Sequence, residues 1–270
     1  MQLHRIGGLA LGGLLVLSSP LPAAEKPPKA TPPDPHQIVQ RMCNHLQSLE
    51  RFSFRAEVTD DQVYTGGKKL QFGFETETFV QRPDQLRVNA LGDLIDKQVF
   101  LNGKTLTMYD PADKVYATTE VPGDLEGALD HADQRLHFRV PLGDLASPKL
   151  CEHLGKGKPH ALFVGASKVR GVPADHLAFD RDDIQFQVWV ATGDQPFPLK
   201  VIITQKNLPG SPQWTATLSD WKNGPHLKPD LFAFTAPPGV HQIEFAPPSV
   251  VPPQPSAQSA ATATPAGAKP

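Results

Sequence analysis

Two short cysteine–histidine pairs are the first candidates for chemistry: Cys43-Asn44-His45 and Cys151-Glu152-His153. Thiolate and imidazole are zinc ligands. Both segments carry helical spacing, however, and residues two apart on a helix do not face each other. Holding one ion between Cys and His would require unwinding, so no metal is expected. In an exported chain, two cysteines first suggest a single Cys43–Cys151 bridge. Two buried thiols are the alternative. A bridge would tie the middle of the chain to its N-terminal helix. Asp180-Arg181-Asp182-Asp183 gathers three carboxylates between two strands. It lacks the spacing and glycine of a calcium loop and reads as a solvated hairpin turn. The sequence contains no G-x-S-x-G elbow, no H-E-x-x-H and no G-x-x-x-x-G-K-[ST] loop. A catalytic residue set is therefore not expected, although carboxylates assembled across strands keep a hydrolase as an alternative.

The net charge of -2 and the scattered basic residues exclude a clustered phosphate-binding field, so no nucleic acid is expected as a partner. Met1–Arg5 is basic, Ile6–Leu17 is apolar but broken by glycine, and Ser18–Ala24 is rich in small residues and proline. That layout is a secretory signal over residues 1–24, cleaved near Ala24, and it implies a periplasmic protein. No other stretch reaches the length of apolar chain needed to cross a bilayer. Residues 25–33 form a Pro/Lys-rich tether. Residues 247–270, almost entirely Pro, Ala, Ser, Gln and Thr, are too poor in apolar surface to fold. Residues 34–246 remain as one domain, expected as a monomer and large enough to bury roughly 70% of its surface.

Within that domain the hydrophobic period changes. Ile38, Val39, Met42, Leu46 and Leu49 recur at helical intervals over His36–Phe52, with Asp34 as cap and Pro35 in the first turn. From Phe52 onward the period is two, through Phe52–Thr59, Leu70–Thr78, Gln85–Ala90, Lys97–Leu101, Thr105–Tyr109 and Val115–Thr118. Thr65-Gly66-Gly67, Arg82-Pro83-Asp84, Asn102-Gly103 and Asp110-Pro111 separate these runs as turns. Helical spacing returns over Asp124–Phe138 and Ser147–Leu154. Strands then resume at Ala161–Val169, Ala174–Phe179, Ile184–Val190, Leu199–Thr204 and Trp214–Ser219. The pattern predicts an α+β fold: a strongly curved antiparallel sheet of about 11 strands with helices covering its concave face. Phe72, Phe74, Met108, Phe186 and Val188 are expected to line an apolar space beneath that cover.

The order of these motifs resembles the periplasmic lipoprotein carrier family. The matching pieces are Phe72–Val80, Arg82-Pro83, Asn102-Gly103-Lys104-Thr105-Leu106, Tyr109-Asp110-Pro111 and a closing strand over Phe232–Val240. The stretches Gly171–Leu177, Pro198-Leu199-Lys200 and Ser219-Asp220-Trp221 are more similar to the predicted periplasmic proteins of family DUF2092. The resemblance implies an unclosed half β-barrel capped by helices, and a lid latch at Arg82 bonding lid backbone. It implies a non-catalytic protein, without a cofactor, that binds or carries a lipid, an acyl chain or a lipidated protein and meets other envelope proteins. A structural or sensory envelope module without a ligand is the other reading.

Overall fold

The computed structural model describes residues 32–157 and 159–245. The export segment 1–24, the tail 247–270 and all but the end of the tether 25–33 lie outside the described residues. The first element is α1 (Pro35–Ser48), where the Asp34 carboxylate accepts from the His36 N–H at 2.9 Å. It ends before Phe52 because Leu49 is already extended and Arg51 opens the first strand. Phe52 fits both periods, and the sheet takes it.

The strands are β1 (Arg51–Val63), β2 (Lys69–Gln81), β3 (Gln85–Gly92), β4 (Asp96–Asn102), β5 (Thr105–Asp110) and β6 (Val115–Glu120). After an insertion of α2 (Leu125–Arg135), a 3-10 turn (Gly143–Ala146) and α3 (Leu150–Gly155) come five more. These are β7 (His160–Val169), β8 (Val172–Asp180), β9 (Ile184–Ala191), β10 (Pro198–Gln205) and β11 (Gln213–Asn223), with a short β12 (His241–Ile243) at the end. All belong to one twelve-stranded sheet in the order β12-β6-β5-β4-β3-β2-β1-β11-β10-β9-β8-β7. It consists of two antiparallel meanders joined where β1 pairs with β11. Its first and last strands do not pair, so the barrel stays unclosed.

Side-chain alternation sets the faces. Phe52, Val80, Leu86, Leu101 and Leu106 form one cross-strand row, and every member is at most 1% exposed. They share a core with Ile38, Val39, Met42, Cys43 and Leu46 of α1 and with Leu125, Ala128 and Ala132 of α2. The helices therefore pack on this concave face. At the β3 end Gly92 pairs with Phe74, and a Cβ there would come within 2.4 Å of Phe74 Cα. Only glycine allows that approach.

Two sequence expectations shift. The β4–β5 hairpin turns on Gly103-Lys104 rather than Asn102-Gly103, because Asn102 still pairs with Thr105 and only Gly103 has positive φ (65°). That is the arrangement with glycine first in a two-residue turn. The closing strand is not Phe232–Val240. That stretch follows a 3-10 turn (Pro229–Phe232), and the strand proper is His241–Ile243, parallel to β6. Pro237 and Pro238 have no N–H to give a ladder. Phe234 packs instead against Phe100, Tyr109 and Tyr116 on the convex face, with ring centres 4.9–5.4 Å apart.

Candidate functional site

Between the sheet and the insertion lies a cavity of about 620 Å³. The sheet side is built by alternation on neighbouring strands: Phe186 and Val188 of β9, Ile203 and Val201 opposite them on β10, and Trp214 of β11 opposite Ile203. Phe74 of β2 joins them across the seam. Met42 of α1, Val140, Leu142 and Leu145 around the 3-10 turn, and Leu150 and Leu154 of α3 form the roof. The polar lining is confined to Asp60, Asp61, Arg139, Asp144, Gln205 and Gln213. Leu208, 53% exposed, also belongs to the lining, so the cavity reaches the surface.

Of the five residues expected to line such a space, the structure brings Phe74, Phe186 and Val188 together on its wall. Phe72 and Met108 are not on it. Phe72 pairs with Asp60, half-buried toward the turn end of the β1–β2 hairpin. Met108 shares a row with Val88 and Val99, in the part of the sheet that the cavity does not reach. Val201, Ile203 and Trp214 join the wall beyond those five, and the alternation in Leu199–Thr204 and Trp214–Ser219 carries their signal.

Arg82 sits where the β2 end meets α1 and the insertion. Its Nε donates to Leu49 O at 3.0 Å, one Nη to Ala146 O at 2.7 Å and the other to Leu46 O at 3.5 Å. The first and last are carbonyls at the end of α1 and the second belongs to the 3-10 turn. Burial draws its pKa below the ordinary arginine value, but a guanidinium remains charged across the physiological range.

A second arginine does the same at the other end of the insertion. Arg181 donates through Nη2 to His153 O and Leu154 O, each at 2.8 Å, and lies 5.5 Å from the Phe186 ring. The last carbonyls of a helix have no partner within it, and a cation suits them. The solvated-turn expectation is thus corrected for Arg181. The β8–β9 turn is present, and Asp180 is held by Lys206 at 2.8 Å, but Arg181 is half-buried against α3. No local pattern announces it, because its partners are backbone atoms about thirty residues away. Inside the insertion, Glu126 of α2 accepts from the Ser147 hydroxyl and lies 3.5 Å from Lys149 and 3.6 Å from His153.

Cys43 and Cys151 are free thiols in this structure. They face each other across α1 and α3. Burial, then the hydrogen bond and charge of Cys151, push the Cys43 pKa up. Gln40 Nε2 also donates to Cys151 Sγ at 3.4 Å. His45 and His153 do not join them; the ring of His45 lies edge-on to Phe197 at 4.7 Å. Among the described residues no group of three or more His, Cys, Asp or Glu is placed to hold a metal ion.

The family model of a predicted periplasmic protein, DUF2092, matches residues 36–246. No curated protein matches the chain. Solved structures to which the chain is similar include three at low identity. An uncharacterised conserved protein from Thermus thermophilus is 9% identical, with TM-score 0.45, over 77% of this chain and 97% of that one. A LolA superfamily protein from Nitrosomonas europaea is 13% identical, with TM-score 0.38, over 73% and 96%. The Mycobacterium tuberculosis lipoprotein LppX is 12% identical, with TM-score 0.40, over 71% and 96%. Likenesses this distant assign neither ligand nor activity to this chain. No helix among the described residues is long and apolar enough to cross a membrane.

Proposed function

The chain belongs to the DUF2092 family of predicted periplasmic proteins, and we propose that it is a non-catalytic binding or carrier protein. The cavity under its insertion holds a lipid, an acyl chain or the lipid of an acylated protein. The observation that supports this reading is the cavity itself: about 620 Å³ and walled mostly by large apolar side chains. That volume falls within the range of small-molecule sites. Burying roughly ten methylenes there would contribute ~8 kcal/mol before the costs of ordering the ligand.

The insertion serves as the lid, and Arg82 and Arg181 serve as its two latches. Both hold backbone carbonyls, of the α1 end and the 3-10 turn for Arg82 and of α3 for Arg181. Cys43 and Cys151 close into a bridge in an oxidising compartment, each thiol losing one hydrogen to an external disulfide, and the bridge ties α3 to α1. Residues 1–24 direct export, and 34–246 are the ligand-holding domain.

Native mass spectrometry of the full chain, purified from bacterial envelopes without detergent, tests this. The expected spectrum shows a lipid-bearing species, together with a protein mass lower by two hydrogens. Val201→Phe fills the cavity and should remove the adduct while leaving the circular dichroism spectrum unchanged. A wild-type protein that carries no lipid, even after incubation with envelope lipid extract, overturns the reading.

A further inference from the structure

The lining of the cavity is electrically uneven. Three carboxylates and one guanidinium line it: Asp60, Asp61, Asp144 and Arg139. Two of the four are already balanced. Asp61 pairs with Lys69 at 3.0 Å and accepts from Gln213 N at 3.0 Å and Gln71 Nε2 at 3.1 Å. Burial opposes its charge, but these bonds outweigh it and hold the carboxyl below the usual range. Arg139 pairs with Asp133 at 3.0 Å. Asp60 and Asp144 take part in no ion pair among the described residues. Asp60 accepts from Gln62 Nε2 at 2.6 Å, an uncharged donor. Asp144 is exposed on the 3-10 turn of the lid. Arg139 also feels the charge of Asp144, so it is shared between two carboxylates, and the lining with its paired residues keeps a net negative charge on the sheet side and on the lid side.

A ligand tail in this cavity packs on a mostly apolar wall, and its polar end belongs beside the charged part of the lining, where exposed groups such as Asp144 and Arg139 keep water near it. At the edge of a low-dielectric wall a like charge is repelled, and an opposite one attracted, more strongly than in open water. We propose that Asp60 and Asp144 select an amphiphile whose polar end is an amine over one ending in a carboxylate or phosphate. This rests on the lipid-holding reading and adds the charge of the head group to it.

Displacement of the uncharged dye Nile red from the full chain tests the proposal. The competitors are a straight-chain alkyl amine, alcohol and carboxylate of equal length, below their micellar concentrations, at neutral pH and low salt. The amine should displace the dye at about tenfold lower concentration than the carboxylate, with the alcohol between them. In the Asp60→Asn and Asp144→Asn double variant the amine and carboxylate should converge while the alcohol is unchanged. Added salt should narrow the wild-type gap. A carboxylate that binds as well as the amine overturns the proposal and leaves the lipid-holding reading intact. So does a preference that survives the double substitution. If none of the three displaces the dye, both readings fall together.

Discussion

The two halves of the concave face share one sheet and one long helix but differ in how they are covered. On the β2–β5 side, Val80, Leu86, Val88, Val99, Leu101 and Leu106 are at most 1% exposed, and none borders the cavity. Here α2 starts beside the tight turns of the strands it follows. Leu125 N donates to Pro83 O at 3.0 Å, and Val121 N just before it to Lys104 O at 2.8 Å. Its buried face includes Ala128 and Ala132, small enough for a helix to settle close. On the β9–β11 side the cover is a four-residue 3-10 turn and the six-residue α3. These elements are too short to bury a continuous apolar stripe. Beside the buried Leu145, Ala146 and Leu150, they are held by arginines, a thiol contact and the Glu126 cluster. Vacancy on that side follows from the attachment of the cover, not from the composition of the sheet.

The comparison breaks most directly through core truncations. Leu101→Ala, in the filled half, should cost about 3–5 kcal/mol, because its neighbours cannot collapse into the void. Ile203→Ala, on the cavity wall, should cost roughly 1–2 kcal/mol, since it enlarges a space that already exists. Urea-unfolding midpoints of the two variants measure the difference. Equal losses would mean that the two halves are packed alike.

The arginines give the next largest effect. Arg82→Ala orphans carbonyls of α1 and of the 3-10 turn and should lower global stability by roughly 2–3 kcal/mol. Arg181→Ala frees only the end of α3 and should cost about 1 kcal/mol globally. It should nevertheless strip amide-exchange protection from residues 150–155 while β9 and β10 keep theirs. Hydrogen exchange read by mass spectrometry separates these outcomes. Protection lost evenly across the sheet in Arg181→Ala would show that the arginine supports the core rather than the lid.

Much of this architecture is legible in the sequence because its signals are local. Alternation marks the eleven long strands, and Asp34 announces the start of α1. β12 is not legible: it pairs in parallel with β6, a strand more than a hundred residues earlier, and its three residues carry no period of their own. The site divides in the same way. Alternation tells which face Phe74, Phe186, Val188, Phe72 and Met108 occupy, but not which part of that face a helix fills. Met108 alternates as Phe186 does, yet it lies in the part of the face that the cavity does not reach. Arg181 leaves no sequence signal, because a guanidinium aimed at backbone carbonyls needs no particular side chain as partner.

The smallest effect concerns α1, which leans on both halves. The His45 Nε2 is buried without a hydrogen-bond partner, and its ring meets Phe197 at the foot of the cavity side. Burial lowers its pKa below the ordinary 6.5. The unfolded chain therefore binds a proton at His45 at a pH where the folded chain does not. Stability from this residue is complete above pH 6.5 and declines as pH falls toward the lower folded value. His45→Gln removes that term, so the wild type should lose stability relative to the variant on acidification, with a constant difference at alkaline pH. The chain has ten histidines, so only the difference between the two curves is informative. Curves that stay parallel from pH 8 to pH 5 would place the His45 ring in water and detach the end of α1 from the cavity side.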